Sequence, residues 1–264
     1  MDLLAALHWN VSPEIISFGS LTIRWYGLLF AAGFVVGYQI MQNIFLSEGK
    51  TIKQLDYLAL VMIITTVAGA RLGHCLFYEP EIYLANPIKI LYVWEGGLAS
   101  HGAGIAIILG LIFYSRKYKD ISALWVLDRI VLVVALAGFF IRLGNFFNSE
   151  IYGIPTDFPL AVVFERIDNV PRHPVQLYES FSYLIIFSLL MLTYRKYRSE
   201  LPQGLTFGLF LILVFGARFV LEFMKSYQAD FEADIPLRMG QILSIPFILS
   251  GIYMVYKSRH YKRK

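Results

Sequence analysis

Long apolar runs separated by short polar breaks make up most of the chain. Runs over residues 21–45, 55–78, 124–147, 177–194, 205–224 and 239–256 fall within the roughly 17–25 residues that carry an α-helix across a bilayer core. A further run, 98–114, is shorter and predicts a helix that begins as a buried or re-entrant segment. The connections are a polar loop at 47–53, a proline-broken stretch at 79–98 and basic loops at 115–120 and 195–203. The longest polar connection, 149–176, contains Pro155, Pro159, Pro171 and Pro174, which forbid a continuous helix. Within it, 161–167 is rich in β-branched and aromatic residues and predicts a short strand that pairs with neighbouring chain. Residues 1–20 predict an amphipathic arm at the membrane interface, with Trp9 as an aromatic anchor. The pattern predicts an all-α polytopic membrane protein of about seven transmembrane helices, with a small head at 149–176 and an N-terminal interfacial arm. No long polar linker divides the chain, so 1–264 reads as one integral-membrane domain.

Composition agrees: 57% of the 264 residues are hydrophobic, against about 45–50% in soluble domains. The net charge of +4 lies in loops and in a basic tail, so it reports membrane topology and not nucleic-acid binding. Lys50 and Lys53, Arg116 to Lys119, Arg195 to Arg198 and the tail from Lys257 to Lys264 fall on one side of a seven-span chain. Glu79, Glu81, Glu95, Asp157, Glu165, Asp168, Asp230, Glu232 and Asp234 fall on the other. The positive-inside rule then places the C-terminus in the cytoplasm, and the N-terminus and the 149–176 head outside. Residues 1–10 carry no basic region, so no cleavable signal peptide is expected. The single cysteine, Cys75, makes no internal disulfide and is expected to serve packing.

The densest chemistry lies at 142–153, where Arg142, Asn145, Asn148, Ser149, Glu150 and Gly153 follow a long apolar run. Polar groups at membrane depth are costly and mark function by default. The topology brings Arg24 and Tyr26, Arg71 and His74, His101, Arg142, and Arg218 with Glu222 to the outer half of the membrane, which suggests one cavity open to the outer leaflet. Arginines in such a cavity suit an anion, and guanidinium forks match phosphate oxygens, so a phospholipid headgroup is the expected ligand. The competing structural reading pairs Arg218 with Glu222 at i+4 and Arg142 with Glu150. His101 precedes Gly102 and follows Gly96-Gly97, glycines that permit close approach, so it is a candidate base as well as a structural histidine. His173 opens the fifth span in the run His173-Pro174-Val175-Gln176-Leu177-Tyr178-Glu179. No metal-ligand spacing and no Gly-x-Ser-x-Gly elbow occurs.

These residues resemble the bacterial phosphatidylglycerol–prolipoprotein diacylglyceryl transferase family. The resemblance runs through Ile23-Arg24-Trp25-Tyr26-Gly27, Trp94-Glu95-Gly96-Gly97 with His101-Gly102, Arg142 to Gly153, His173 to Glu179, Arg218-Phe219 with Glu222-Phe223, and Met239 to Ser244. Two departures are Leu98-Ala99-Ser100, where the family usually reads Met-Ser-Phe, and Lys225, where arginine is common.

The resemblance implies transfer of diacylglyceryl from phosphatidylglycerol to the lipobox cysteine thiol of a prolipoprotein signal peptide, with release of glycerol phosphate. It implies no cofactor and no metal, and the protein is expected to be a monomer in membrane lipid. His101, Arg142, Arg218 and Tyr26 are the expected catalytic residues. Arg142, Asn145, Glu150, Gly153, Glu222, Arg24 and His173 are the expected substrate-binding residues. A rival reading is an anion or lipid transporter built on the same arginine cavity. It requires a polar path across the whole membrane, whereas the polar groups cluster in the outer half.

Overall fold

The computed structural model describes residues 6–18, 21–92, 97, 99–226 and 237–261. The expectations for Trp94, Glu95, Gly96, the acidic loop at 230–234 and the last tail residues lie outside the described residues. The elements are β1 (Leu7–Trp9), β2 (Glu14–Phe18), β3 (Leu21–Arg24), α1 (Trp25–Ser47), α2 (Ile52–Phe77), α3 (Pro80–Ala85), α4 (Ser100–Lys117), α5 (Ala123–Asn148), β4 (Val162–Phe164), β5 (Pro171–Arg172), α6 (Val175–Tyr197), α7 (Leu205–Leu221) and α8 (Met239–Tyr261). Among the described residues, six helices are long and apolar enough to cross a membrane: α1, α2, α5, α6, α7 and α8, the sixth and seventh elements of the chain's apolar pattern included. The short run expected near 98–114 is the 18-residue helix α4 and is not one of the six. The chain divides into two compact units, residues 42–126 and residues 1–41 with 127–264.

In the unit of residues 42–126, Thr51 caps α2 through a reciprocal capping box with Gln54. Helices α2 and α4 approach backbone to backbone. A Cβ on Gly73 would lie 2.8 Å from Gly102 Cα, and one on Gly69 would lie 2.7 Å from Gly102 O. Small residues are what permit such contact where no water drives helices together. Arg71 is buried and donates from Nε to Ile90 O (3.0 Å) and from Nη2 to Lys89 O (2.7 Å). Cys75 is a free, buried thiol, as a packing role requires.

In the other unit, α1 lies on α5 through Gly33 and Gly37, whose neighbours are Phe140, Ala137 and Val133. Helices α7 and α8 meet at Gly208 and Gly251. Asp128 of α5 is fully buried and accepts from Gly204 N (2.6 Å) and Phe207 N (3.0 Å), satisfying the donors that open α7. The expected strand at 161–167 is present: β4 pairs antiparallel with β5 and parallel with β1. The N-terminal arm is therefore tied to the head by strand pairing. Trp9 packs tilted against Phe146, ring centroids 4.3 Å apart, beside Val162 and Phe164, and so lies on the head. The first span also starts later than expected. Leu21–Arg24 is a strand paired with β2, and helix begins only at Trp25.

Polarity is inverted relative to a water-soluble core. Phe34, Val35, Phe181, Ile185, Leu249 and Ile252 are exposed, while Arg71, Asp128, Glu179, Glu222 and Lys225 are buried. Hydrocarbon outside and satisfied charge inside is what a bilayer demands.

Candidate active site

Helix α5 ends in a way that sets out the site. Ser149 N donates to Phe146 O and Glu150 N donates to Asn145 O, the paired bonds of a Schellman cap. The left-handed position such a cap needs is usually glycine; here it is Ser149, at φ 56°. Ile151 follows at φ 57°, an uncommon conformation for a β-branched residue. Strain of this kind persists only where surrounding contacts impose it, and it concentrates at functional sites. The contact here is the buried Gln176 of α6, whose Nε2 donates to Glu150 O at 2.7 Å.

The cap aligns a polar relay along α5. Arg142 Nη1 donates to Asn145 Oδ1 (3.3 Å), and Asn145 Nδ2 donates to Glu150 Oε1 (2.7 Å). Arg142 and Glu150 thus communicate through Asn145. The direct partner of Arg142 is Glu179 of α6, with Nε 2.9 Å from Oε2. Tyr26 packs over Gly144, where a Cβ would come within 2.8 Å of its ring, and its phenol lies within electrostatic reach of Glu150 and Arg142.

Glu179 has a second partner. Lys225 Nζ lies 2.7 Å from its Oε1 and 3.4 Å from Glu222 Oε2, with all three residues no more than 5% exposed. Glu222 therefore pairs with Lys225, and the expected i+4 pair with Arg218 is replaced. The reason is geometric: α7 ends at Leu221, and Glu222–Met224 turns as a 3-10 helix that brings Lys225 back to the carboxylate. Glu222 also faces Gly240 in the first turn of α8, where a side chain would collide with the carboxylate. The positive end of a helix stabilises such an anion. Arg238 holds the turn by donating to Glu222 O and Lys225 O.

Arg218 is left in a different state. Its Nε is buried without a hydrogen-bond partner among the described residues. It lines a small cleft between α6 and α7 with Glu179, Ser182, Tyr183, Val214 and Leu221. Arg142, Glu179 and Arg218 all act electrostatically on Tyr183, so both arginines border one polar centre.

The other expected residues are placed as follows. Gly153 N donates to His173 O at 2.9 Å, and a Cβ on Gly153 would meet Met224 O at 2.5 Å. Burial holds the His173 imidazole below its usual range, and its Nδ1 lies 3.4 Å from Tyr178 OH. Arg24 is the last residue of β3, exposed and 3.4 Å from Glu14, and it stands immediately before α1 opens at Trp25. His101 belongs to the unit of residues 42–126, where it is exposed on α4 and packs against Phe77 and Tyr78. Arg71 in the same unit is committed to backbone carbonyls.

Sequence reasoning did not single out Glu179, Lys225, Gln176 or Tyr183 as site residues. The available signals were an acid one turn inside an apolar helix at Glu179 and a cation three residues beyond Glu222 at Lys225.

Six membrane-length helices, with a buried cluster of paired charge among them, define a polytopic membrane protein. The chain belongs to the prolipoprotein diacylglyceryl transferase family, which it matches over residues 13–257. It is 52% identical to the phosphatidylglycerol–prolipoprotein diacylglyceryl transferase of Tolumonas auensis, over 98% of this chain and 100% of that protein. The protein of the same name from Chloroherpeton thalassium is 50% identical over 98% of this chain and 96% of its own length. That from Bacteroides fragilis is 40% identical over 97% and 96%.

Proposed function

We propose that the chain transfers the diacylglyceryl group of phosphatidylglycerol to a cysteine thiol of prolipoproteins, as its relatives are named for doing. The observation that carries this into the site is Arg218, a half-buried cation that lines a cleft and whose buried Nε has no hydrogen-bond partner among the described residues, beside a second arginine ion-paired with a carboxylate. The cleft is small, so it would meet only the headgroup of a lipid, whose acyl chains would stay in the bilayer.

The lipobox cysteine sulfur attacks the diacylglycerol carbon that bears the phosphate ester. The carbon–sulfur bond forms, the carbon–oxygen bond breaks, and the electron pair leaves on glycerol phosphate. A thiol with pKa about 8.5 must lose its proton first, and His101 is the proposed acceptor. Arg218 and Arg142 stabilise the charge that develops on the leaving phosphate. Asn145 and Glu150 hold Arg142 and border the headgroup with Tyr26. His173 and Gly153 set the entrance. We place the protein in the cytoplasmic membrane as a monomer, N-terminus outside and C-terminus inside, with α4 as a seventh crossing. The transporter reading has no support from relatives that are named as transferases.

The test is purified protein with phosphatidylglycerol and a lipobox peptide. Formation of a thioether-linked diacylglyceryl peptide and stoichiometric glycerol phosphate is expected. Absence of both products in a detergent that preserves the fold would sink the proposal.

A further inference from the structure

Lys225 has no part in the chemistry above, yet it is 4% exposed and sits between two carboxylates. We infer that Lys225 and Glu179 form a positioning pair that aims Arg142, and that Gly153 acts on the site by seating Lys225. The inference rests on the transferase reading.

The Glu179 carboxylate is divided between two cations. Its Oε1 takes Lys225 Nζ at 2.7 Å and its Oε2 takes Arg142 Nε at 2.9 Å. An arginine ion-paired at Nε with a carboxylate and donating from Nη1 to Asn145 is confined about its long axis. Glu179 can hold Arg142 there only if its own carboxylate is fixed, and Lys225 is what fixes it. Neutralising Glu222 is the lesser task of Lys225, since that contact is longer, at 3.4 Å.

The seat of Lys225 depends on Gly153. The two residues form a β-bridge, and Ile154 N donates to Met224 O at 2.9 Å. A Cβ on Gly153 would meet Met224 O at 2.5 Å, Val175 Cγ2 at 2.6 Å and His173 Cβ at 2.7 Å. Two of these neighbours are backbone or near-backbone atoms that cannot swing aside. Arg238, donating to Lys225 O, closes the same turn from the start of α8. A run of constraints thus leads from the close approach at Gly153 to Lys225, to Glu179 and to Arg142.

The experiment is steady-state kinetics on the full chain with phosphatidylglycerol and a lipobox peptide. It compares wild type, Glu179→Gln, Lys225→Met, the double variant, Lys225→Arg and Arg142→Lys. Misplacing a positioned group by about 1 Å can cost about 100-fold, so Glu179→Gln and Lys225→Met should each lower kcat/KM by about 10- to 100-fold. The loss should fall in the same parameter, kcat or KM for phosphatidylglycerol, that Arg142→Lys changes. The double variant should be no worse than the poorer single one, because both remove the same support. Lys225→Arg, which keeps the charge, should recover most of the activity. Additive losses, a loss in a different parameter from Arg142→Lys, or unchanged kinetics in Lys225→Met would overturn the inference. If Lys225→Met does not fold, the near-isosteric Glu179→Gln decides by the parameter it shares, or fails to share, with Arg142→Lys. An inactive wild type would overturn the transferase reading and the inference with it; an active wild type with additive variants overturns the inference alone.

Discussion

Arg71 and Arg218 each stand toward the end of an apolar helix, and in the sequence they look alike. In the fold they are opposites. Arg71, 2% exposed, donates to two backbone carbonyls of the stretch after α3 and lies over the Tyr83 ring at 4.9 Å. It closes a connection that would otherwise leave carbonyls unsatisfied. Arg218 keeps a buried Nε without a hydrogen-bond partner among the described residues and borders a cleft. A buried cation whose donors are consumed by the backbone builds structure, whereas one that retains a donor at a cleft is equipped for a ligand. Proximity of a charge to the membrane core does not separate the two cases; the accounting of its hydrogen bonds does.

The strongest test of that contrast is Arg218→Ala. Removing a donor that stabilises leaving-group charge should lower kcat by about 100- to 1,000-fold, with the melting temperature in detergent close to wild type. Near-normal turnover would assign Arg218 to structure. The complementary variant is Arg71→Met. Loss of charged hydrogen bonds to Ile90 O and Lys89 O should cost about 2–3 kcal/mol of stability, read as a lower melting temperature, while turnover per folded molecule stays near wild type. Asp128 is an acidic analogue of Arg71, spent on the donors of Gly204 and Phe207 at the start of α7. Asp128→Asn should cost about 1 kcal/mol, a typical value for a helix cap, again measured by thermal unfolding.

The smallest effect is the pH response of the head. Arg172 donates to Asp168 and holds its carboxyl below the usual carboxylate range, while burial holds His173 below the usual imidazole range. For both groups the unfolded chain binds the proton more readily. His173 therefore contributes fully above its unfolded value of about 6.5, and that contribution declines as pH falls toward its lower folded value. The contribution of Asp168 is present above about 3.9 and is lost as pH falls through its lower folded value. Melting temperature should fall on acidification in those two windows and be flat between pH 7 and 8 as far as these groups are concerned. The His173 step should disappear in His173→Gln.

Helices were legible because their apolar runs are long; α5 was expected over 124–147 and spans Ala123–Asn148. The strand at Val162–Phe164 was legible from its β-branched residues, but its parallel partner Leu7–Trp9 was not. Parallel pairing joins residues far apart in sequence, with no turn to announce it. The first span was read from Leu21 for a related reason: an apolar strand, Leu21–Arg24, running straight into an apolar helix leaves no break in the pattern. In the site, the density of polar residues at 142–153 exposed Arg142, Asn145 and Glu150. Their partner Glu179 comes from another helix, and the ion pair that links them is a product of tertiary packing. The pair expected between Arg218 and Glu222 assumed that α7 continues through both residues. The helix instead tightens at Glu222, and the carboxylate turns to Lys225.

An experimental structure in a phosphatidylglycerol-containing nanodisc measures the contrast between the two arginines most directly. The account expects a lipid phosphate in the α6–α7 cleft, with an oxygen within hydrogen-bonding distance of Arg218 Nε, and no lipid contact at Arg71. A phosphate bound elsewhere, with Arg218 Nε paired to a side chain of the protein itself, would contradict it.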